Sequence, residues 1–208
     1  MMLALENIGA AYGMSQVLNG IALTVGAGEA VALLGRNGVG KTTLLRTIVG
    51  LHPANTGSIA FDADNVVKMP AFRRARLGIG YVPQGRGIFP QLTVAENLSV
   101  GASALDGRKP AVAPDPAPLY ELFPALTKLR DRKGGVLSGG EQQQLALARA
   151  LLGKPKLLLL AAAQHAALPV AQFRQRRKQI VERRGVRGER GFASLERRRA
   201  DREILGDR

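Results

Sequence analysis

The run Gly35-Arg36-Asn37-Gly38-Val39-Gly40-Lys41-Thr42 constrains this chain more than any other feature, because it fits G-x-x-x-x-G-K-[ST] at every position. It follows a short apolar run, Glu29 to Leu34, whose length suits a buried strand of a parallel sheet. It precedes Thr42 to Val49, which carries a helical pattern closed by Gly50. Glycines let such a loop curl so that several backbone N–H groups point at one anion, and the helix that starts there adds its positive end. Lys41 can then reach β- and γ-phosphates, and Thr42 offers a hydroxyl to Mg²⁺. A glycine-rich turn that happens to precede Lys-Thr is the plain alternative. The flanking strand and helix argue against it. Taken alone, the loop specifies a nucleoside triphosphate and nothing narrower.

The rest of the chain reads as alternating strands and helices. Leu3 to Ile8 and Ile21 to Val25 suit opening strands, and Ser58 to Phe61 and Ile79 to Val82 suit later ones. Pro70 to Leu77 suits a short basic helix with Pro at its start. Gly101 to Pro118 is rich in Gly, Ala and Pro and reads as a loop, and Leu119 to Leu129 as a helix broken near Pro124. Glu141 to Leu152 is a strong helix, and Lys156 to Leu160 a buried strand. This order predicts an α/β fold with a mainly parallel central sheet. No apolar run approaches the ~20 residues that span a bilayer. The start of the chain lacks the basic and apolar segments of a secretory signal. With no cysteine, disulfides and thiolate chemistry are excluded, which points to the cytoplasm.

The formal net charge is +14. Residues 1–160 carry 17 Lys+Arg against 10 Asp+Glu, and residues 161–208 carry 13 against 6, so the last quarter holds half the excess. Such charge favours anionic partners in general, or nucleic acid in particular. His52 and His165 are isolated and read as solvated or structural rather than as ligands. Arg73, Arg74 and Arg76 read as a solvated helix face, with contact to a membrane partner as the alternative.

Leu137-Ser138-Gly139-Gly140-Glu141-Gln142-Gln143 opens the strong helix. Ser138 with Glu141 three residues on makes a capping box. The same hydroxyl, glycine amides and helix terminus also suit a second phosphate site. Here the chain resembles the ATPase subunits of ABC transporters, whose LSGGQ-like signature stands as Leu137 to Glu141. The resemblance covers residues 1–160 and implies a P-loop NTPase with N-terminal antiparallel strands and a helical signature subdomain. It implies ATP and Mg²⁺ as cofactors. Tyr12, Gly35, Arg36, Asn37, Gly38, Val39, Gly40, Lys41, Thr42, Thr43 and Gln84 would lie at the nucleotide, with Tyr12 stacking on adenine and Thr42 and Gln84 at the metal. Ser138, Gly139, Gly140 and Glu141 would face the ATP of a second subunit in a head-to-tail dimer. Permease subunits, a solute-binding protein acting indirectly, and the inner face of the cell membrane complete the expected setting. Tyr81-Val82-Pro83-Gln84-Gly85-Arg86 and Leu92-Thr93-Val94-Ala95-Glu96-Asn97-Leu98 look like importers of branched-chain amino acids or urea.

The resemblance stops in mid-motif. Where that family places Asp and Glu after an apolar strand, this chain has Ala161 and Ala162. Alanine can neither orient a Mg²⁺ shell nor polarise an attacking water, so hydrolysis is expected to be impaired while binding survives. Residues 161–208 then read as an atypical basic tail, with Arg176-Arg177-Lys178 and Arg197-Arg198-Arg199 among its charge runs, and the C-terminal part of the sheet is expected to be missing. An out-of-frame or fused segment explains the switch at one residue. A genuine charged helix able to touch RNA or lipid is the rival, but its few aromatics make nucleic acid the less favoured partner.

Overall fold

The computed structural model describes residues 1–85, 87–103 and 116–161. Expectations for the Arg runs, Ala162 and His165 therefore lie outside the described residues, as does most of the expected Gly101 to Pro118 loop. The chain opens with a hairpin of β1 (Leu3–Tyr12) and β2 (Ser15–Val25), which close on each other at Tyr12 and Ser15. Both strands outrun their apolar alternation. The pairing shifts register between Leu5 and Ile8, Ile8 and Ala10, and Ala10 and Ala11. Each shift sets an extra residue of one strand against its partner, which interrupts a period of two. β3 (Thr56–Phe61) joins the free side of β1, and β4 (Asp64–Asn65) follows, giving the antiparallel order β2-β1-β3-β4.

Helix α1 (Lys41–Val49) packs Leu44, Leu45 and Ile48 into a first core with Leu3, Leu5, Ile8, Ile59 and Phe61. The parallel part of the fold is the pair β5 (Ile79–Val82) and β6 (Leu157–Leu160), in register from Ile79–Leu157 to Val82–Leu160. Successive strand side chains point to opposite faces. Leu157 and Leu159 accordingly meet the first core, and Leu158 and Leu160 meet a second one. Four leucines in a row are what a strand buried between two apolar layers requires.

The second core belongs to helices α3 (Val94–Ser103), α4 (Ala117–Leu122), α5 (Pro124–Lys128) and α6 (Gly139–Leu152). The break at Pro124 separates α4 from α5, as the sequence indicates, whereas α3 was not expected. Gly101 is where α3 crosses α6. A Cβ there would stand 2.6 Å from Cγ of Arg149 and 2.8 Å from its carbonyl oxygen, so a side chain would force the helices apart.

Two expectations are corrected. Glu29 to Leu34 forms no strand among the described residues, and Val31 and Leu34 are 40% and 80% exposed. An apolar run becomes a strand only where a neighbour supplies a hydrogen-bonded ladder, and no described strand pairs with it. Arg74, read as part of a solvated face, is 3% exposed. Its guanidinium donates to the carbonyls of Thr47 and Ile48 at the end of α1, at 2.8 and 2.9 Å, and to those of Met69 and Val67, both at 2.8 Å. Arg73 and Arg76 stay outside, over the Phe72 ring of α2 (Ala71–Leu77).

Candidate nucleotide site

Residues 35–40 run exposed into α1, except for Gly40, which is buried against β2. Gly40 has φ +95°, and a Cβ built there would lie 2.8 Å from Cδ2 of Leu18 and 3.3 Å from the carbonyl of Val17. Glycine is thus required twice over, by backbone conformation and by the strand beneath. Gly40 offers no side-chain cap to α1, and the first amide of the helix to find a backbone acceptor is that of Leu44, on Gly40 at 2.8 Å. The preceding amides of the first turn are the open donors every uncapped helix start presents. Lys41 folds back over the loop, its Nζ donating to the carbonyls of Gly35 at 2.5 Å and Arg36 at 2.7 Å. Open amides, a helix terminus and an ammonium lie together at this exposed loop, which suits a polyanion. Thr42 beside them is exposed, whereas Thr43 points into the protein and is 8% exposed.

Gln84 lies two residues past the end of β5 and is exposed. Ala161 follows β6, and its amide donates to Val82 at 2.9 Å, which sets it beside the exit of β5. The carboxyl ends of parallel strands are where ligands bind in such sheets. This edge therefore carries a carboxamide at Gln84 and a methyl group at Ala161, where an acid was expected. Among the described residues no group of His, Asp and Glu side chains is placed to hold a metal ion. Thr42 and Gln84, the residues that the sequence resemblance assigns to a Mg²⁺ ion, are both exposed.

Tyr12, at the end of β1, is 47% exposed and stacks on His52, with ring centroids 4.2 Å apart and planes inclined by 30°. The loop that carries Gln84 is pinned from two sides. Asn97 on α3 is fully buried, donates to the carbonyls of Phe89, Leu92 and Thr93, and accepts from the Phe89 amide. Arg149 on α6 donates to the Gly87 carbonyl and covers the Phe89 ring at 4.9 Å. Sequence reasoning missed both residues. The available signal was a polar group in an apolar helical stretch, Asn97 in Val94-Ala95-Glu96-Asn97-Leu98 and Arg149 between alanines.

The segment from Ser138 to Glu141 begins α6 on the second core, and no described hydrogen bond or ion pair joins it to residues 35–43 of the same chain. Its capping box is complete, with the Ser138 hydroxyl accepting from the Glu141 amide and the Glu141 carboxylate accepting from the Ser138 amide at 2.7 Å. Bonds from the Ser138 hydroxyl first and the Ser138 amide second hold the Glu141 carboxyl below its ordinary pKa. A carboxyl depressed in the folded state stabilises the cap above its unfolded pKa, and that contribution is lost as pH falls through the folded value. Hydrogen-exchange protection of the first-turn amides of α6 is therefore expected to fall in that acidic window. E141Q, which keeps the acceptor and cannot ionise there, is expected to show no such fall.

A phosphate-cradling loop on an α/β core, with a glycine-led helix terminus displayed from a second core, defines a P-loop nucleotide-binding cassette. Residues 18–161 match the family described as ABC transporter, and the chain belongs to that family. Over 159 residues it is 43% identical to the high-affinity branched-chain amino acid transport ATP-binding protein BraG of Pseudomonas aeruginosa, a match covering 76% of this chain and 67% of BraG. It is 42% identical over 159 residues to the lipopolysaccharide export system ATP-binding protein LptB of Escherichia coli K12, covering 76% of this chain and 66% of LptB. The chain thus spans about two thirds of the length of these relatives. A nucleotide-free ATP-binding cassette from an ABC transporter superposes with a TM-score of 0.70 at 26% identity, covering 88% of this chain and 78% of that one. The dimeric cassette MJ0796, in a post-hydrolysis state bound to ADP and Pi, gives 0.71 at 26% identity, covering 88% and 84%.

Proposed function

We propose that this chain is an ATP-binding subunit of an ABC transporter that binds Mg-ATP and turns it over poorly. The single observation that supports this most is the convergence of open first-turn amides, the Lys41 ammonium and the exposed Thr42 hydroxyl at the head of α1. On this reading Lys41 leaves the carbonyls of Gly35 and Arg36 for phosphate oxygens, and Tyr12 stacks on the base. Gln84 adds a carboxamide at the metal. Bound Mg-ATP supplies the charge and the reactive phosphoryl group. The placement of Ala161 at the strand edge supports weak turnover, because a methyl group neither orients metal ligands nor accepts a proton.

Ser138, Gly139 and Gly140 serve the nucleotide of a second subunit in this proposal. Their location on a separate core, turned into α6 and not linked to residues 35–43, supports an intermolecular role. The run around Gln84 favours import of branched-chain amino acids or urea, and BraG is named for transport of the former. LptB, named for lipopolysaccharide export, is nearly as similar, so the solute rests on the motif alone. The test measures Mg-ATP affinity and steady-state turnover separately on the full chain. Saturable binding with turnover near the uncatalysed background is expected. Turnover at rates usual for enzymes, on the order of 1 per second or more, would refute the impaired-hydrolysis part, and no binding would refute the whole.

A further inference from the structure

The stack of Tyr12 on His52 joins two parts of the chain that the phosphate loop separates. His52 follows the left-handed Gly50 that ends α1, and its amide and that of Leu51 both bond to the Arg46 carbonyl, at 3.2 and 2.8 Å. Its backbone is therefore fixed to the last turn of the helix whose first residue is Lys41. Its Nε2 lies 3.1 Å from the carbonyl of Ala11, the residue before Tyr12, and its ring covers one face of the Tyr12 ring at 4.2 Å. Tyr12 still exposes 47% of its surface, which belongs to the parts turned away from His52. The hairpin carrying Tyr12 also passes beneath the loop, since Val17 and Leu18 meet Gly40 and Ser15 pairs with Tyr12.

We infer that His52 is a positioning residue for the nucleobase: it backs the Tyr12 ring and ties that platform to the same helix that presents the phosphate loop. A tyrosine at the end of a hairpin, held on one side only by solvent, would sample many ring orientations. Each costs entropy when a base must stack on it. A ring behind it, hydrogen-bonded to the adjacent carbonyl and seated on α1, removes that freedom beforehand. His52 does not touch the ligand in this scheme. Its effect must therefore be confined to the base and leave the phosphates alone.

This inference rests on the nucleotide-binding reading, and its test separates the two. The full chain and its H52F, H52Q and H52A variants are titrated with Mg-ATP and with magnesium tripolyphosphate, which has no base. H52A and H52Q are expected to weaken ATP about fivefold, the size of one aromatic stacking contact, and to leave tripolyphosphate affinity unchanged. H52F restores a ring and is expected to bind ATP within about twofold of the parent chain. ATP affinity unchanged in H52A and H52Q overturns the inference, as does an equal loss for tripolyphosphate or a failure of H52F to restore ATP binding. If H52A does not fold, the contrast between H52F and H52Q, which both fill the space, decides in the same way. A parent chain that binds neither ligand refutes the nucleotide reading itself.

Discussion

Replacement of Lys41 by alanine is expected to lower Mg-ATP affinity by about 100-fold or more, since charge-assisted bonds to phosphate contribute roughly 1.5–3 kcal/mol each. The ammonium is a full positive charge held over the loop, bonded to the carbonyls of Gly35 and Arg36. In the free protein those carbonyls accept its protons. On binding they give it up, so the net gain is smaller than the gross strength of the new contacts, and the remaining amides keep some affinity. K41A is expected to leave unfolding in urea within about 0.5 kcal/mol of the parent, because Lys41 sits at an exposed loop–helix junction and not in the core. K41R is expected to fall between the two: its planar fork keeps the charge but does not fit a loop shaped around a point-like head group. Isothermal titration of the full chain checks the two affinities, and urea unfolding checks the stability. K41A binding within threefold of the parent would remove the basis for assigning this loop to a triphosphate.

R74M is expected to destabilise the described fold by about 3–4 kcal/mol, the cost of leaving buried carbonyls without donors. A single guanidinium donates to four carbonyls from two stretches packed on the same core: Thr47 and Ile48 close α1, while Val67 and Met69 lead into α2. It also places a positive charge at the negative end of α1. Burial holds the guanidinium below its ordinary pKa, and an arginine keeps its charge in proteins. R74K is expected to recover little, since one ammonium cannot span acceptors arranged around a planar fork. Urea unfolding with matched slopes for parent and variants reads the difference directly.

How far the sequence was legible varied with the range of the forces involved. The phosphate loop and the capping box are local: a few consecutive residues contain both the cause and the consequence, and they lie where the sequence places them. The leucines of β6 were legible for the same reason, since a strand buried on both faces must be apolar throughout. Glu29 to Leu34 was not, because a strand needs a neighbour and the identity of the neighbour is not written in the run itself. Arg74 was misread because its acceptors at Thr47 and Ile48 are distant in the chain, and three arginines in one short helix look alike without them. The same holds for His52, whose pairing with Tyr12 spans the whole phosphate loop. The residues proposed to lie at the nucleotide are named by the sequence motifs alone. The second layer that orients them is not.

Ser138 shows why a hydroxyl, and not a carboxylate, opens α6. Its oxygen accepts from the Glu141 amide, and its hydroxyl bonds in turn to the Glu141 carboxylate. Aspartate at this position would end the helix as well, but it would meet an approaching oxyanion with like charge and nothing to donate. On the proposed role toward a second subunit's nucleotide, serine does both jobs with one atom: its lone pair fastens the helix to its start, and its hydrogen can pass from Glu141 to the negative group that another molecule brings.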